Sequence, residues 1–322
     1  MRWLLLPVLA LAALQATHAD TTCDGICGRR PLAGSHYTLR IVGGSDVPPG
    51  AWPWMVSFQL STRTGTINTC DGSLISSRWV LSSAHCFEKK KYIPWYRVVI
   101  GATRISDPGP DAQRRSIKRV VEHELYKNEL LSLNGGVHND ISLVELDRPV
   151  NCSDYIQPAC LPDKSVTVSL LTHCYVSGFG SMEVKTGKRP EILQEGSVNL
   201  IPKETCSRME WWYRRILDEN LCAGHEDGGA ATCRRDSGGP LMCREKMSER
   251  YWVVGVASWG APDCGAPQQP SVFISTQSYL DWIKQMTMED LSTPNRPQLK
   301  ATPRPPPTPQ PQQVQSTFRP CH

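Results

Sequence analysis

The sequence predicts an all-β fold, either a sandwich or a barrel, for the region from residue 41 to about residue 276. Short runs rich in β-branched and aromatic residues alternate with turn residues throughout this region, and clear examples are 54–60, 96–101, 141–146, 251–259 and 271–275. Apolar side chains at helical spacing, at Leu280, Ile283 and Met286, predict one helix over 278–286. A length of 322 residues is sufficient for one large domain or two small ones.

The first residues of the chain are typical of a signal peptide. Arg2 supplies the positive charge, an apolar stretch covers 4–14, and the small residues Thr17 and Ala19 suit a cleavage site. We therefore expect residues 1–19 to be removed. A short membrane anchor is the alternative, but the apolar run is shorter than the ~20 residues that a span needs. The prediction is a secreted protein with no membrane span.

The 13 cysteines predict a disulfide framework in an oxidising compartment, with at least one thiol left without an internal partner. Zinc is the rival interpretation. Only Cys23 and Cys27 form a close pair, and no matching pair follows at zinc spacing, so we expect neither a metal nor another cofactor. The net charge of +4 does not by itself indicate a nucleic-acid partner.

Composition divides the chain into segments. Residues 20–40 are short, polar and rich in Gly and Arg, and they end at Arg40, directly before Ile41. Residues 41–291 hold the predicted β-rich domain. Proline dominates residues 292–322, which predicts an extended or disordered tail. Such a tail is either passive or a removable propeptide or docking segment, and Cys321 lies within it.

Three short segments carry candidate catalytic residues: Leu-Ser-Ser-Ala-His-Cys ending at Cys86, Asn-Asp-Ile-Ser-Leu around Asp140, and Asp-Ser-Gly-Gly-Pro around Ser237. Their order His, Asp, Ser matches one of the three known triad orders. A serine hydroxyl is a poor nucleophile at neutral pH, and an imidazole within reach can take its proton. A buried carboxylate then orients the imidazole. These segments predict Ser237 as nucleophile, His85 as base and acid, and Asp140 as the orienting group.

With these motifs the chain resembles the chymotrypsin/trypsin family of serine proteases over residues 41 to 283. Within the family it is similar to the acrosins, particularly in bird-like form. That similarity lies in the light-chain segment 23–28, in 50–57 and 279–283, and in the proline-rich tail. The resemblance implies two antiparallel six-stranded Greek-key β-barrels followed by a short C-terminal helix, with the triad in the cleft between the barrels. It also implies protein substrates, serpin-type inhibitors and an acrosomal, sperm–egg-coat role.

The resemblance further implies a zymogen. Cleavage after Arg40 would free the amino group of Ile41, which would insert and pair with Asp236, because a buried carboxylate is costly without a partner. The disulfides that the resemblance implies are Cys70–Cys86, Cys174–Cys243, Cys206–Cys222, Cys233–Cys264, Cys23–Cys152 and Cys27–Cys160.

The chain departs from the family at the oxyanion hole and the specificity pocket. Arg235 replaces a glycine whose N–H, with that of Ser237, would hold the oxyanion, and loss of one such donor costs about 10²–10³ in rate. At the pocket base Ala231 replaces the aspartate that meets Arg or Lys, with Thr232 beside it. Ser271 replaces a glycine in the wall, whereas Gly260 is kept. An uncharged substrate side chain suits this pocket better than a cation.

Surface features leave two function classes open. The basic run Lys89, Lys90 and Lys91 is either ordinary solvated surface or a site for sulfated glycans and egg-coat glycoproteins. The intact triad favours an active endopeptidase. Arg235 and Ala231 favour a protease-shaped protein that is weak or inactive as an enzyme and binds glycan or protein instead.

Overall fold

The computed structural model describes residues 23, 27–33, 45–63, 65–129, 136–180, 190–233, 235–289 and 291. The predicted signal peptide, the activation residues Arg40 and Ile41, and the proline-rich tail lie outside the described residues. Within them, no helix is long and apolar enough to cross a membrane.

The described part of the chain is nearly all β, as predicted. Its strands are β1 Ser45–Asp46, β2 Met55–Thr62, β3 Gly65–Leu74, β4 Trp79–Ser82, β5 Tyr96–Ile100, β6 Gln113–Arg115, β7 Ile117–Glu122, β8 Lys127–Asn128, β9 Val137–His138, β10 Ser142–Leu146, β11 Thr172–Gly178, β12 Gln194–Ile201, β13 Asn220–Gly224, β14 Pro240–Arg244, β15 Tyr251–Trp259 and β16 Ser271–Ser275. The α-helices are α1 Lys203–Cys206 and α2 Leu280–Thr287. Short 3₁₀ segments are Ala84–Phe87, Lys90–Trp95, Val168–Leu170 and Tyr213–Arg215.

The first sheet is antiparallel, in the order β6-β5-β2-β3-β4-β10-β7. Its edge strands β6 and β7 are separated along the chain only by Ser116, so the sheet curls back toward itself. It differs from the expected six-stranded barrel because this edge segment is broken into two short strands. Aromatic side chains fill its interior, with the rings of Phe58 and Phe87 edge to face at 5.2 Å.

The second sheet closes into a six-stranded barrel. Its strands run in the order β12-β11-β14-β15-β16-β13, and β13 pairs again with β12. Strand β1 adds to the outside of β12, with Ser45 opposite Glu195 and Asp46 opposite Gln194. The two sheets together confirm the predicted trypsin-like architecture, with one sheet closed into a barrel and the other curled.

Helix α2 follows the second barrel and packs on an apolar cluster to which both sheets contribute. It buries Leu280, Ile283 and Thr287, which recur at helical spacing. Leu280 and Ile283 belong to the same apolar cluster as Trp54 and Phe58. The helix ends where Met288 adopts a left-handed backbone with φ 58°. The helix predicted at 278–286 is confirmed, with its start two residues later.

Six disulfides join Cys23 to Cys152, Cys27 to Cys160, Cys70 to Cys86, Cys174 to Cys243, Cys206 to Cys222 and Cys233 to Cys264. The pairs are those that the resemblance implied. Two of them tie residues 23 and 27 of the light-chain segment to the loops that precede the second barrel. Cys321 lies outside the described residues.

Candidate active site

His85 and Asp140 are brought together by the pairing of β4 with β10. Ser82 lies opposite Ser142 in that pair, so the residues just beyond these strand ends are neighbours. Asp140 is fully buried. One of its oxygens, Oδ2, lies 2.7 Å from His85 Nδ1, and Oδ1 accepts a hydrogen bond from the His85 backbone N–H at 2.9 Å. The carboxyl group therefore holds both the ring and the main chain of the histidine.

Ser258 supplies a third hydrogen bond to Asp140. Its Oγ, at the end of β15 in the second barrel, donates to Asp140 Oδ2 at 2.5 Å. Asn139, directly before Asp140, has a positive φ of 50° and accepts a hydrogen bond from Tyr279 Oη at 2.7 Å. Sequence reasoning assigned neither Ser258 nor Tyr279 a role. The signal for Ser258 was its place in Ser-Trp-Gly, two residues before the predicted pocket residue Gly260.

The charge of Asp140 controls the titration of His85. Burial alone would lower the pKa of His85, because a charged imidazolium loses solvation. The Asp140 carboxylate more than offsets this, through its charge and its hydrogen bond, and raises the pKa of His85 above the ordinary value. An imidazole so placed is a stronger base and is stabilised when it becomes charged.

Ser237 lies in the loop between β13 and β14, against the segment that carries His85. Its carbonyl oxygen accepts a hydrogen bond from Asp71 N at 2.8 Å and lies 3.6 Å from Cys86 Sγ. Gly238, with φ 81°, follows it. A Cβ there would overlap Ser82 Oγ, so only glycine allows this close approach. The loop thus fixes Ser237 beside the residue that follows His85.

Arg235 adopts a backbone conformation that favours glycine. Its φ is 82°, in the left-handed region, where a side chain costs about 1–2 kcal/mol. Its carbonyl oxygen accepts a hydrogen bond from Asn68 Nδ2 at 3.4 Å. The backbone at Arg235 therefore keeps the conformation that a glycine would adopt, although an arginine is strained there.

Asp236 is held by two backbone amides. Its Oδ1 accepts from Gly180 N at 2.7 Å and its Oδ2 from Cys233 N at 2.8 Å. It lines a cavity of about 150 Å³ that is also lined by Gln194, Glu195 and the predicted pocket residues Ala231 and Thr232. Burial raises the pKa of Asp236 to about 6, although the two amides lower it.

Ser271, Thr232 and Gly260 meet at one place. Ser271 Oγ accepts a hydrogen bond from Thr232 N at 3.0 Å, and a Cβ on Gly260 would lie 3.8 Å from the same Oγ. The Ser271 hydroxyl therefore lies between Thr232 and Gly260 and narrows the predicted specificity pocket. Ala231, the fourth predicted pocket residue, does not belong to this contact. It lines the cavity that Asp236 also lines.

The comparison with known families bears on this arrangement. The family model described as trypsin matches residues 41–283, which is most of the chain. The chain belongs to the trypsin family. Family membership and the six disulfides fit an extracellular or secreted serine protease, and proteins are the substrates that the family implies.

Proposed function

We propose that this trypsin-family chain is the zymogen of a serine endopeptidase with Ser237, His85 and Asp140 as its catalytic triad. The observation that carries the proposal is that Asp140 contacts His85 twice, at 2.7 Å from Nδ1 and at 2.9 Å from the backbone nitrogen. The loop of Ser237 lies beside them. Catalysis needs a base with a fixed tautomer next to a hydroxyl, and Asp140 can fix it.

The reaction proceeds through an acyl-enzyme. Ser237 Oγ attacks the peptide carbonyl and passes its proton to His85 Nε2, which then protonates the leaving amine. A water molecule then attacks the acyl ester in the same way, with His85 as the base, and the hydrolysis restores the Ser237 hydroxyl. The backbone N–H groups of Arg235 and Ser237 stabilise the oxyanion. Asp140 keeps its negative charge and stabilises the imidazolium.

We infer that the preferred substrate side chain is small or medium and uncharged. Ala231 offers no counter-charge, and a buried unpaired cation is expensive. The Ser271 hydroxyl, bonded to Thr232, narrows the pocket further. A library of peptide substrates tests this, and strong preference for Arg would contradict it.

Activation proceeds by cleavage after Arg40. Ser45 lies on β1 beside Glu195, and Glu195 lines the cavity that contains Asp236. Ile41 is four residues before Ser45, a reach of roughly 13 Å. The freed ammonium of Ile41 can therefore enter the cavity and pair with Asp236.

An acrosin-like role in the acrosome is the finer form of this proposal. The light-chain disulfides and the exposed run Lys89, Lys90 and Lys91 support it. This run begins two residues after the 3₁₀ segment of His85 ends, so a sulfated glycan bound there would lie near the proposed active site. Lys90 pairs with Glu122.

Retention on heparin should fall when Lys89, Lys90 and Lys91 all become alanine, and unchanged retention would refute the idea that this run binds sulfated glycans. Serpin-type inhibitors belong to the same proposal.

The decisive experiment labels the nucleophile. The chain without residues 1–19 is cleaved after Arg40 and treated with a fluorophosphonate probe, with a Ser237→Ala variant as the matched control. Labelling of the cleaved protein, absent from the variant and weak in the zymogen, is the expected result. A cleaved, folded protein that stays unlabelled would contradict the proposal.

A protease-shaped binding protein is the second candidate. The observation that favours it is the strained φ of 82° at Arg235, in the loop that must supply an oxyanion donor. It predicts no labelling after cleavage while heparin retention persists. The two candidates therefore give opposite results in the labelling experiment.

A further inference from the structure

A second buried carboxyl group, Asp71, lies next to Asp236. Asp71 is fully buried on β3, and its Oδ2 accepts a hydrogen bond from Phe179 N at 3.1 Å. Asp236 accepts from Gly180 N, the next amide along the chain. A Cβ built on Gly178 would overlap Asp236 Oδ1 and would lie 2.7 Å from Asp71 Oδ2. Glycine thus leaves room for two carboxyl groups on consecutive amides.

Among the described residues, several polar and ionisable groups lie near the pair. Asn68 Nδ2 donates to Asp71 Oδ1 at 2.9 Å and to the carbonyl of Arg235, whose own side chain is cationic. Glu195 lines the cavity together with Asp236 and accepts a hydrogen bond from Trp52 Nε1 at 2.6 Å. From the 3₁₀ segment after β4, the His85 imidazole lies within 4.8 Å of the sulfur of Cys70, the residue before Asp71.

Two like charges in such a place are costly, because both would be desolvated and would repel each other. Burial, then the neighbouring Asp236, raises the pKa of Asp71 well above its usual range, and the hydrogen bonds from Phe179 and Asn68 offset this only partly. Burial raises the pKa of Asp236 less, to about 6, so Asp236 is the carboxyl group of the pair that gives up its proton first.

We propose that Asp71 stays protonated at neutral pH in the zymogen, so that the two carboxyl groups together present one negative charge to the cavity. One charge matches the single ammonium group that cleavage releases at Ile41. Asp71 is then a positioning residue for Asp236. Its role as part of an ammonium acceptor rests on the activation step proposed above.

The proton on Asp71 has a measurable consequence for stability. Its pKa is raised in the folded state, so the stabilisation is complete below the unfolded-state value and is lost as pH rises through the folded-state value. While only the folded state holds this proton, each pH unit lowers the folding equilibrium constant about tenfold. Asp71→Asn keeps a neutral side chain of similar shape and removes this dependence.

The test measures urea unfolding of the uncleaved Ser237→Ala protein, with and without Asp71→Asn, from about pH 5 to about pH 8. The folding constant of the protein that retains Asp71 should fall about tenfold per pH unit relative to the protein that carries Asp71→Asn. Parallel curves would overturn the proposal. Glu195→Gln is the matched control, because it removes the other carboxyl of the cavity. If Glu195→Gln alone flattens the curve, the proton belongs to Glu195 and the proposal fails.

A second measurement covers the case in which Asp71→Asn does not fold. Infrared spectra of the Ser237→Ala and Ser237→Ala/Glu195→Gln proteins near neutral pH should both show the carbonyl band of a protonated carboxylic acid. Absence of the band from the second protein would overturn the proposal. Because neither protein is cleaved or has the nucleophile, a failure of catalysis or of activation leaves both results unchanged.

Discussion

At the scale of single residues, the site combines strong positioning with one strained donor. Asp140 receives hydrogen bonds from the His85 main chain and from Ser258, and it faces the His85 ring. Arg235, which would donate to the oxyanion, holds a left-handed backbone. Hydrogen bonds therefore hold the group that orients His85 in place, whereas the backbone strain falls on Arg235, the proposed oxyanion donor.

Arg235→Gly should raise the rate of fluorophosphonate labelling roughly tenfold, because it removes about 1–2 kcal/mol of backbone strain and the loop can then hold its N–H in place more often. Labelling rates of the cleaved proteins measure the effect. Arg235→Ala is the control, since it shortens the side chain and keeps the strain. An equal gain in both variants would assign the effect to the guanidinium and not to the backbone.

Ser258→Ala should lower the labelling rate about 10–100-fold, because a hydrogen bond to a charged group contributes about 1.5–3 kcal/mol. Activity needs neutral His85, so the rate rises as pH passes the pKa of His85. Without the Ser258 hydroxyl, Asp140 attracts the imidazolium more strongly, and this acid limb should move to higher pH. Ser258→Thr keeps the hydroxyl and should leave the limb in place; a shift in that variant would contradict the explanation.

At the scale of elements, much of the architecture could be predicted from the sequence. Alternation and turn residues located β2, β5, β10, β15 and β16 to within two residues, and apolar spacing located α2. The break at Ser116 could not be predicted, because it depends on two different partner strands. Asp71 and Ser258 were missed for a similar reason: each acts through a residue distant in sequence, and only folding shows the contact.

The proposed specificity pocket lies where the start of β16 meets the loop after β13. Ala231→Asp with Ser271→Gly should restore a counter-charge and open the wall. We expect the ratio of cleavage after Arg to cleavage after Leu to rise at least about 10²-fold, because leaving a buried charge unpaired costs about 3–5 kcal/mol. Peptide-substrate kinetics measure the ratio. The single Ser271→Gly variant is the control, and an equal change in it would show that width alone decides.

At the scale of the whole molecule, the described residues that precede β1 are joined to the rest of the chain by two disulfides and by contacts of Arg30. Besides the disulfides of Cys23 and Cys27, the guanidinium of Arg30 lies 3.7 Å from the ring centre of Trp52 and donates to Ala51 O at 2.5 Å. Burial lowers the pKa of Arg30, and the nearby Tyr251 and Glu195 counteract this. Arg30 thus packs on the indole of Trp52, whose N–H donates a hydrogen bond to Glu195.

After cleavage at Arg40, removal of either light-chain disulfide alone should leave the segment attached on a non-reducing denaturing gel. Removal of both, by Cys152→Ala with Cys160→Ala, should release it, because the remaining contacts are non-covalent. Cys206→Ala with Cys222→Ala is the control and should retain the segment. Release in a single variant would show that the other disulfide does not form.

The hydrogen bond from Ser258 to Asp140 joins the two sheets, and that from Tyr279 to Asn139 joins the start of α2 to the same loop. Both end on the loop that orients His85. The largest apolar cluster contains side chains of both sheets, among them Phe58, Val253 and Ile274, so the two halves cannot separate without exposing it. The placement of Asp140 beside His85 is thereby tied to the packing of the two halves against each other.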